Sequence, residues 1–232
     1  MAYIEWKGKR SNTIPGLIIC ELPPISKPKM RTSITKIDGR DGDIIEELGY
    51  ESYTKNVKIG LTRNYDIDTV AKYFTGEGTI VFSDESNRVY NSKIIDKIDY
   101  NKLLHFKTAT VKFHTQPFKY LKDEKPAELT TSSETSLIVK NLGLEKSKPI
   151  ITLKGSGTVE LIINNNSILT YNFPEEESSV VIDSIQEEAY LDGIFKNRNM
   201  LGIFPILEPG DNVITWSGNL TQIIVEPKSR WI

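Results

Sequence analysis

The densest chemistry-bearing stretch of this 232-residue chain is KIDGRDGDIIEE at 36–47, which gathers Asp38, Arg40, Asp41, Asp43, Glu46 and Glu47. Carboxylates this close raise the question of calcium. Their spacing does not follow the alternating oxygen ligands of an EF-hand loop, and Arg40 sets a cation among the would-be ligands. The residues describe a shaped turn instead. Gly39 and Gly42 reach backbone angles closed to other residues, and Arg40 can form a bidentate pair with a carboxylate within or between subunits.

A second acidic group comprises Glu175, Glu176, Glu177, Asp183, Glu187 and Glu188. A glycosidase needs two carboxylates facing each other across a cleft. These fall at turns and strand starts, where a solvated acidic face is expected. His105 and His114 lie in the strand-like run LLHFKTATVKFHTQPF with no nucleophile signature nearby, so they are expected to be ordinary sheet residues. Cys20, the one cysteine, sits in LIICEL and is expected to be a buried small hydrophobe. A single thiol excludes an intramolecular disulfide and a thiolate-rich metal site. GKRSNT and GSGTVE lack the glycine spacing and following helix of a phosphate loop. The tightest basic group, Lys7, Lys9 and Arg10, is too small for a stripe that neutralises DNA phosphates. The expectation is a protein that is not an enzyme and takes no cofactor and no metal.

The elements that carry these residues are mostly extended. TSIT at 32–35, NVKIGL at 56–61, GTIVF at 78–82, RVYNSKIID at 88–96 and LLHFKTATVKF at 103–113 are rich in Val, Ile, Thr, Tyr and Phe, and several alternate with period two. DIDTVAKYF at 66–74 predicts the single helix of the first half, with Asp66 or Asp68 capping it, Gly76 stopping it, and Val70, Tyr73 and Phe74 on its buried face. YLKDEKPAELTTSSE at 120–134 interrupts the pattern and predicts a domain boundary. Beyond it, short strands punctuated by Gly, Asn and Pro predict an antiparallel sandwich. Gly155 and Gly157 separate two strand-like runs there, and Asn164, Asn165 and Asn166 supply the next reversal.

Charge divides along the same line. The first 125 residues carry 21 Lys and Arg against 17 Asp and Glu, whereas the remaining 107 carry 8 against 14. The longest apolar runs, such as IPGLII at 14–19, fall far short of the roughly 20 residues that span a bilayer, and MAYIEWKGKR has no signal-peptide core, so no membrane association is expected.

Several segments together resemble the distal tail proteins of siphophages, the Dit family. KIDGRDG at 36–42 resembles that family's glycine-rich turn near the start of the chain. PIITLKGSGTVELIINN, VVIDSIQEEAY and GIFPILEPGDNVITWSGNLTQIIVEPKSRWI resemble its carboxyl-terminal domain, and DIDTVAKYF and TVKFHTQPF agree in order. The resemblance implies a mainly β protein. Residues 1–125 would be a ring-forming β domain with one short helix, joined by the last residues 227–232, and 126–226 a peripheral galectin-like or carbohydrate-binding-like β-sandwich. It implies a homo-hexamer in the virion, at the distal end of a phage tail, assembled in the host cytoplasm. Such a ring joins the tail tube protein to a tail-associated hub or lysin protein and to receptor-binding or accessory baseplate proteins. DNA passes through its channel without specific binding.

A closed ring needs one patch that meets a different patch on the next subunit. Loops at 7–16 and 38–53 are candidate arms, with Ile45, Leu48, Tyr50 and Tyr53 as apolar anchors and Arg40 and Asp41 fixing register. Arg230 and Trp231 resemble the family's closing residues and are candidates for packing between the two domains. The competing class is a module that binds host cell-wall carbohydrate, with Tyr171, Tyr190 and Trp216 as stacking platforms.

Overall fold

The computed structural model describes residues 2–131 and 135–232. The protein is mainly β with minor helical content and divides into two compact units. One runs to Lys122 and takes in Ile232, and the other is Asp123–Trp231.

The first unit contains β1 (Ile4–Trp6), β2 (Lys9–Arg10), β3 (Leu17–Glu21), β4 (Met30–Thr35), β5 (Ile44–Tyr50), β6 (Tyr53–Leu61), α1 (Ile67–Tyr73), β7 (Glu77–Phe82), β8 (Arg88–Lys93), α2 (Tyr100–Phe106) and β9 (Thr108–Leu121). Seven of these strands form an antiparallel sheet in the order β2-β1-β7-β8-β9-β6-β3, while β4 and β5 pair only with each other. One face of the sheet alternates in phase to build the core: Val57, Ile59 and Leu61 from β6 meet Ala109, Val111 and Phe113 from β9. Both helices cover this face. Val70, Tyr73 and Phe74 of the α1 segment are buried as their spacing requires, and Asp66 accepts the Asp68 and Thr69 amide N–H groups at 3.2 and 3.3 Å. Trp6 and Phe74 stack edge-on against Phe113, at 5.2 and 6.4 Å.

Two expectations change in this unit. The run 103–113 is not one strand, since α2 ends at Phe106 and β9 starts at Thr108. The first unit therefore has two helices rather than one, and His105 is helical. The local reason is Asp99, whose carboxylate accepts the Lys102 N–H at 2.9 Å, followed by Tyr100, Leu103 and Leu104 at helical spacing against the core. Lys107 then ends the helix in a left-handed conformation (φ 60°). Cys20 is exposed rather than buried. Leu17 and Ile19 point inward, so alternation sets Cys20 on the outer face with Ile18; it is also the extra residue of a bulge, since Ile19 pairs with Ile59 and Glu21 with Lys58.

The second unit contains β10 (Ala127–Thr130), β11 (Ser136–Asn141), β12 (Ile150–Ile163), β13 (Asn166–Asn172), β14 (Ser179–Asp183), β15 (Glu188–Leu191), β16 (Ile194–Phe195), β17 (Met200–Gly202), β18 (Gly210–Glu226) and β19 (Arg230–Trp231). Part of the expected linker 120–134 is strand, and residues 132–134 of it lie outside the described residues. Gly155 and Gly157 do not separate two strands but bulge one long strand, β12, which pairs along β18 with register shifts at Lys154/Gly155 and Ser156/Glu160. On its other edge β12 pairs with β14 before the bulge and β13 after it. Strand β18 likewise takes β11 along its first half and β10 along its second. The two long strands thus carry the sheet around a bend, and both halves feed one core in which Ile151, Leu153, Leu161, Ile214 and Ile223 are fully buried.

Candidate assembly interface

Strands β4 and β5 form a hairpin that neither adds to the main sheet nor contributes to a core among the described residues. The segment 38–53, expected as a loop, is largely this ribbon. Ile34 pairs with Ile45 and Thr35 with Ile44. The loop between them, 36–43, uses Gly39 and Gly42 at φ near 80°, the left-handed angles expected of them. Apolar side chains stand in solvent on both faces: Ile45 is 61% exposed, Ile34 56%, Leu48 51% and Ile44 42%. Scattered exposed apolar residues are ordinary, whereas here they are concentrated on one ribbon.

The sequence-predicted interface residues fall into three places. Ile45 and Leu48 lie on the ribbon, and the Leu48 carbonyl accepts from Arg31 Nη2 at 3.1 Å. Arg40 and Asp41 are exposed at its tip, and among the described residues neither side chain makes an ion pair within the subunit. Tyr50 and Tyr53 stay at the root. Tyr50 stands edge-on to Phe118 at 5.7 Å with the Lys27 ammonium 5.8 Å from its ring, and Tyr53 opens β6, half-buried against the sheet. Lys29 and Glu51 add an exposed ion pair across the root at 3.5 Å.

Behind the root lies a polar cluster that sequence reasoning missed. Lys55 is 2% exposed. Its ammonium faces the rings of Tyr90, Tyr53 and Phe82 at 4.7, 5.2 and 5.5 Å and donates to the Pro24 carbonyl, on the segment leading into the arm, at 3.4 Å. Glu85 accepts from Lys119 at 2.6 Å and from the Tyr90 hydroxyl. Burial pushes the Lys55 amine below the ordinary lysine range, with Glu85 opposing. Burial also pushes Glu85 upward, but hydrogen bonds from Lys119 and Tyr90 and the charges of Lys119 and Lys55 outweigh it, leaving the carboxyl lowered. Burial with the Glu85 charge pushes Tyr53 up to about 12. The signal was present in the alternation: Lys55 is in phase with Val57, Ile59 and Leu61, so a cation occupies an inward position.

The other candidate residues lie in the second unit. Tyr171 is fully buried and packs edge-on to Phe173 at 4.9 Å, so it cannot present its ring to a sugar. Its inward phase on β13, shared with Leu169, is the reason. Trp216 is half-buried against the same core, and Tyr190 is half-buried on β15 opposite Val181. Arg230 Nε donates to the Lys146 carbonyl at 2.5 Å, and its backbone bridges Glu145. Trp231, beside it, is half-buried.

Fold and site define a two-unit β protein with a projecting apolar arm, pinned at its root by a buried charge cluster. A solved structure similar over nearly its whole length is the Dit protein of phage SPP1, a hub of the adsorption apparatus in phages that infect Gram-positive hosts. The two share a TM-score of 0.71 at 18% identity, covering 97% of this chain and 98% of that one. At that identity the likeness is one of fold. Chains of the phage p2 baseplate in its activated conformation, with strontium and with calcium, align at TM-scores of 0.45 and 0.46 and identities of 7% and 8%, each covering 91% of this chain and 90% of that one. No protein-family model and no curated protein matches the sequence.

Proposed function

We propose that this chain is a virion structural protein of a siphophage or prophage tail tip, a hexameric hub adaptor with a central channel for DNA. In this reading the first unit forms the ring between the tail tube and the tail-associated hub protein. The second unit is a peripheral, galectin-like sandwich that offers attachment to host-binding proteins. The observation that carries the reading is the arm, set in a fold shared along almost the whole chain with the SPP1 Dit protein.

A hairpin with two uncovered faces is the kind of element a heterologous ring interface uses, because it leaves its own subunit and packs on the next. Covering its half-exposed isoleucines and leucine would contribute about 1 kcal/mol apiece, enough for a weak contact that six-fold closure multiplies. Negative-stain images of the purified protein are expected to show six-fold rings with a central opening. A protein that remains monomeric at high concentration, alone and with its tail tube partner, overturns the reading.

A further inference from the structure

The first unit carries a second unusual surface, a cavity of about 410 Å³ between β1–β2 and α1, lined by Trp6, Lys7, Lys9, Ile14, Thr69, Lys72 and Tyr73. Its floor is apolar: Trp6, Ile14 and Tyr73 are all buried. Its rim is basic, with Lys7, Lys9 and Lys72 exposed and no carboxylate among the lining residues. Lys7 Nζ donates to the Thr75 carbonyl at 3.4 Å, and Glu77 pairs with Lys93 at 2.9 Å. The indole N–H of Trp6, 1% exposed, has no partner among the described residues. An apolar hollow ringed by ammonium groups suits a ligand that is apolar and anionic at once.

The same chain displays such a ligand. Residues 36–47 of the arm carry five carboxylates, Asp38, Asp41, Asp43, Glu46 and Glu47, against two cations, Lys36 and Arg40. Ile37, Ile44 and Ile45 stand exposed among them at 46%, 42% and 61%. We propose that this cavity receives the acidic, isoleucine-bearing arm tip of a second copy of the chain. The proposal rests on the ring reading above and specifies its heterologous contact: arm tip on one subunit, basic cavity on the next. Opposite charge would set orientation and speed encounter, and the isoleucines on the aromatic floor would supply affinity.

Charge reversal tests the pairing. The cavity variant Lys7→Glu/Lys72→Glu and the arm variant Asp38→Lys/Asp41→Lys change exposed side chains, so each is expected to melt as wild type does. By sedimentation velocity, each is expected to need about tenfold more protein for half-assembly, and the chain bearing both reversals about as little as wild type. In a Cys20→Ser background, Asp41→Cys with Lys72→Cys is expected to give disulfide-linked dimers and higher ladders under oxidation. Wild-type protein that stays monomeric overturns the ring reading and this inference with it. Rings that form but ignore both reversals, or a crosslink confined within one chain, overturn this inference alone. Reversals that spare assembly yet abolish retention of duplex DNA would assign the cavity to phosphate instead.

Discussion

The ammonium of Lys55 lies 4.7 Å from the centre of the Tyr90 ring, and the Tyr90 hydroxyl in turn donates to Glu85. This aromatic ring therefore stands between a buried cation and a carboxylate that Lys119 also holds, at 2.6 Å with both side chains 14% exposed. A lone buried ammonium would be costly, and three aromatic faces, one carbonyl and a nearby carboxylate offset that cost. Because the carbonyl belongs to Pro24, the cluster also fixes where the chain leaves the sheet for the arm.

Removing one member of this cluster should cost more than removing two. Lys119→Met is expected to destabilise the first unit by about 3 kcal/mol, since Glu85 keeps its charge in a largely buried place with less compensation. Adding Glu85→Gln to that variant should recover a substantial part of the loss. Urea unfolding of the four proteins of the cycle measures this, and strictly additive effects would show that the pair is not coupled.

The same groups set the pH profile. Glu85 and Glu5 are lowered, Glu5 chiefly by its hydrogen bond from Lys122, so their stabilisation is present above the ordinary glutamate range and is lost as pH falls through their folded values. On the alkaline side two effects oppose each other. Lys55 is lowered, so stability rises with pH between its folded value and the ordinary value near ~10.4. Tyr53 is raised to about 12 and Tyr90 is raised as well, so their stabilisation is full below the ordinary tyrosine value near ~10 and is lost as pH climbs through the folded values. Lys55→Met is expected to flatten the rise and Tyr53→Phe the decline, both measured by unfolding midpoint against pH.

The arm should be separable from folding. Ile45→Asp with Leu48→Asp alters side chains that are 61% and 51% exposed, so the unfolding midpoint of the isolated subunit is expected to stay within about 0.5 kcal/mol of wild type. Assembly is expected to fall at least about tenfold, measured by light scattering across a dilution series. Arg40→Ala/Asp41→Ala, at the tip, should weaken it less, because it removes one charge of each sign and no apolar area. A large drop in midpoint without loss of assembly would place these residues in the subunit core instead.

The sequence made some of this readable through local rules and hid the rest where a tertiary partner overrides them. The α1 segment was legible because Asp66, Val70, Tyr73 and Phe74 satisfy capping and helical spacing at once. The α2 segment was not, since LLHF fits a strand as well as a helix until the Asp99 cap is weighed. Cys20 went astray because its apolar neighbours suggested burial, although period two sets it outward when Leu17 and Ile19 point inward. The Gly155–Gly157 stretch hid a bulge, which shifts register without ending a strand and which no composition rule announces. Ile45 and Leu48 were identifiable as unburied apolar residues near a glycine turn, whereas the basic cavity needed Lys72 to be folded beside Lys7 and Lys9 from far along the chain.

The bend in the second unit offers the sharpest test of the fold itself. Gly218 (φ 90°) and Gly157 (φ 65°) both hold left-handed backbone at the place where β12 and β18 slip register. A Cβ at Gly218 would stand 2.1 Å from the Thr158 carbonyl oxygen, a backbone atom of the paired strand, whereas one at Gly157 would meet nothing within 4 Å. Both alanine substitutions carry the conformational penalty of about 1 kcal/mol for a side chain at positive φ, but only Gly218→Ala must also push two paired strands apart. Gly157→Ala is therefore expected to cost about 1 kcal/mol and Gly218→Ala at least about 3 kcal/mol, read from urea unfolding followed by far-UV circular dichroism. Equal costs would mean that backbone angle alone decides, and that the close approach of β18 to β12 is not what turns the sheet.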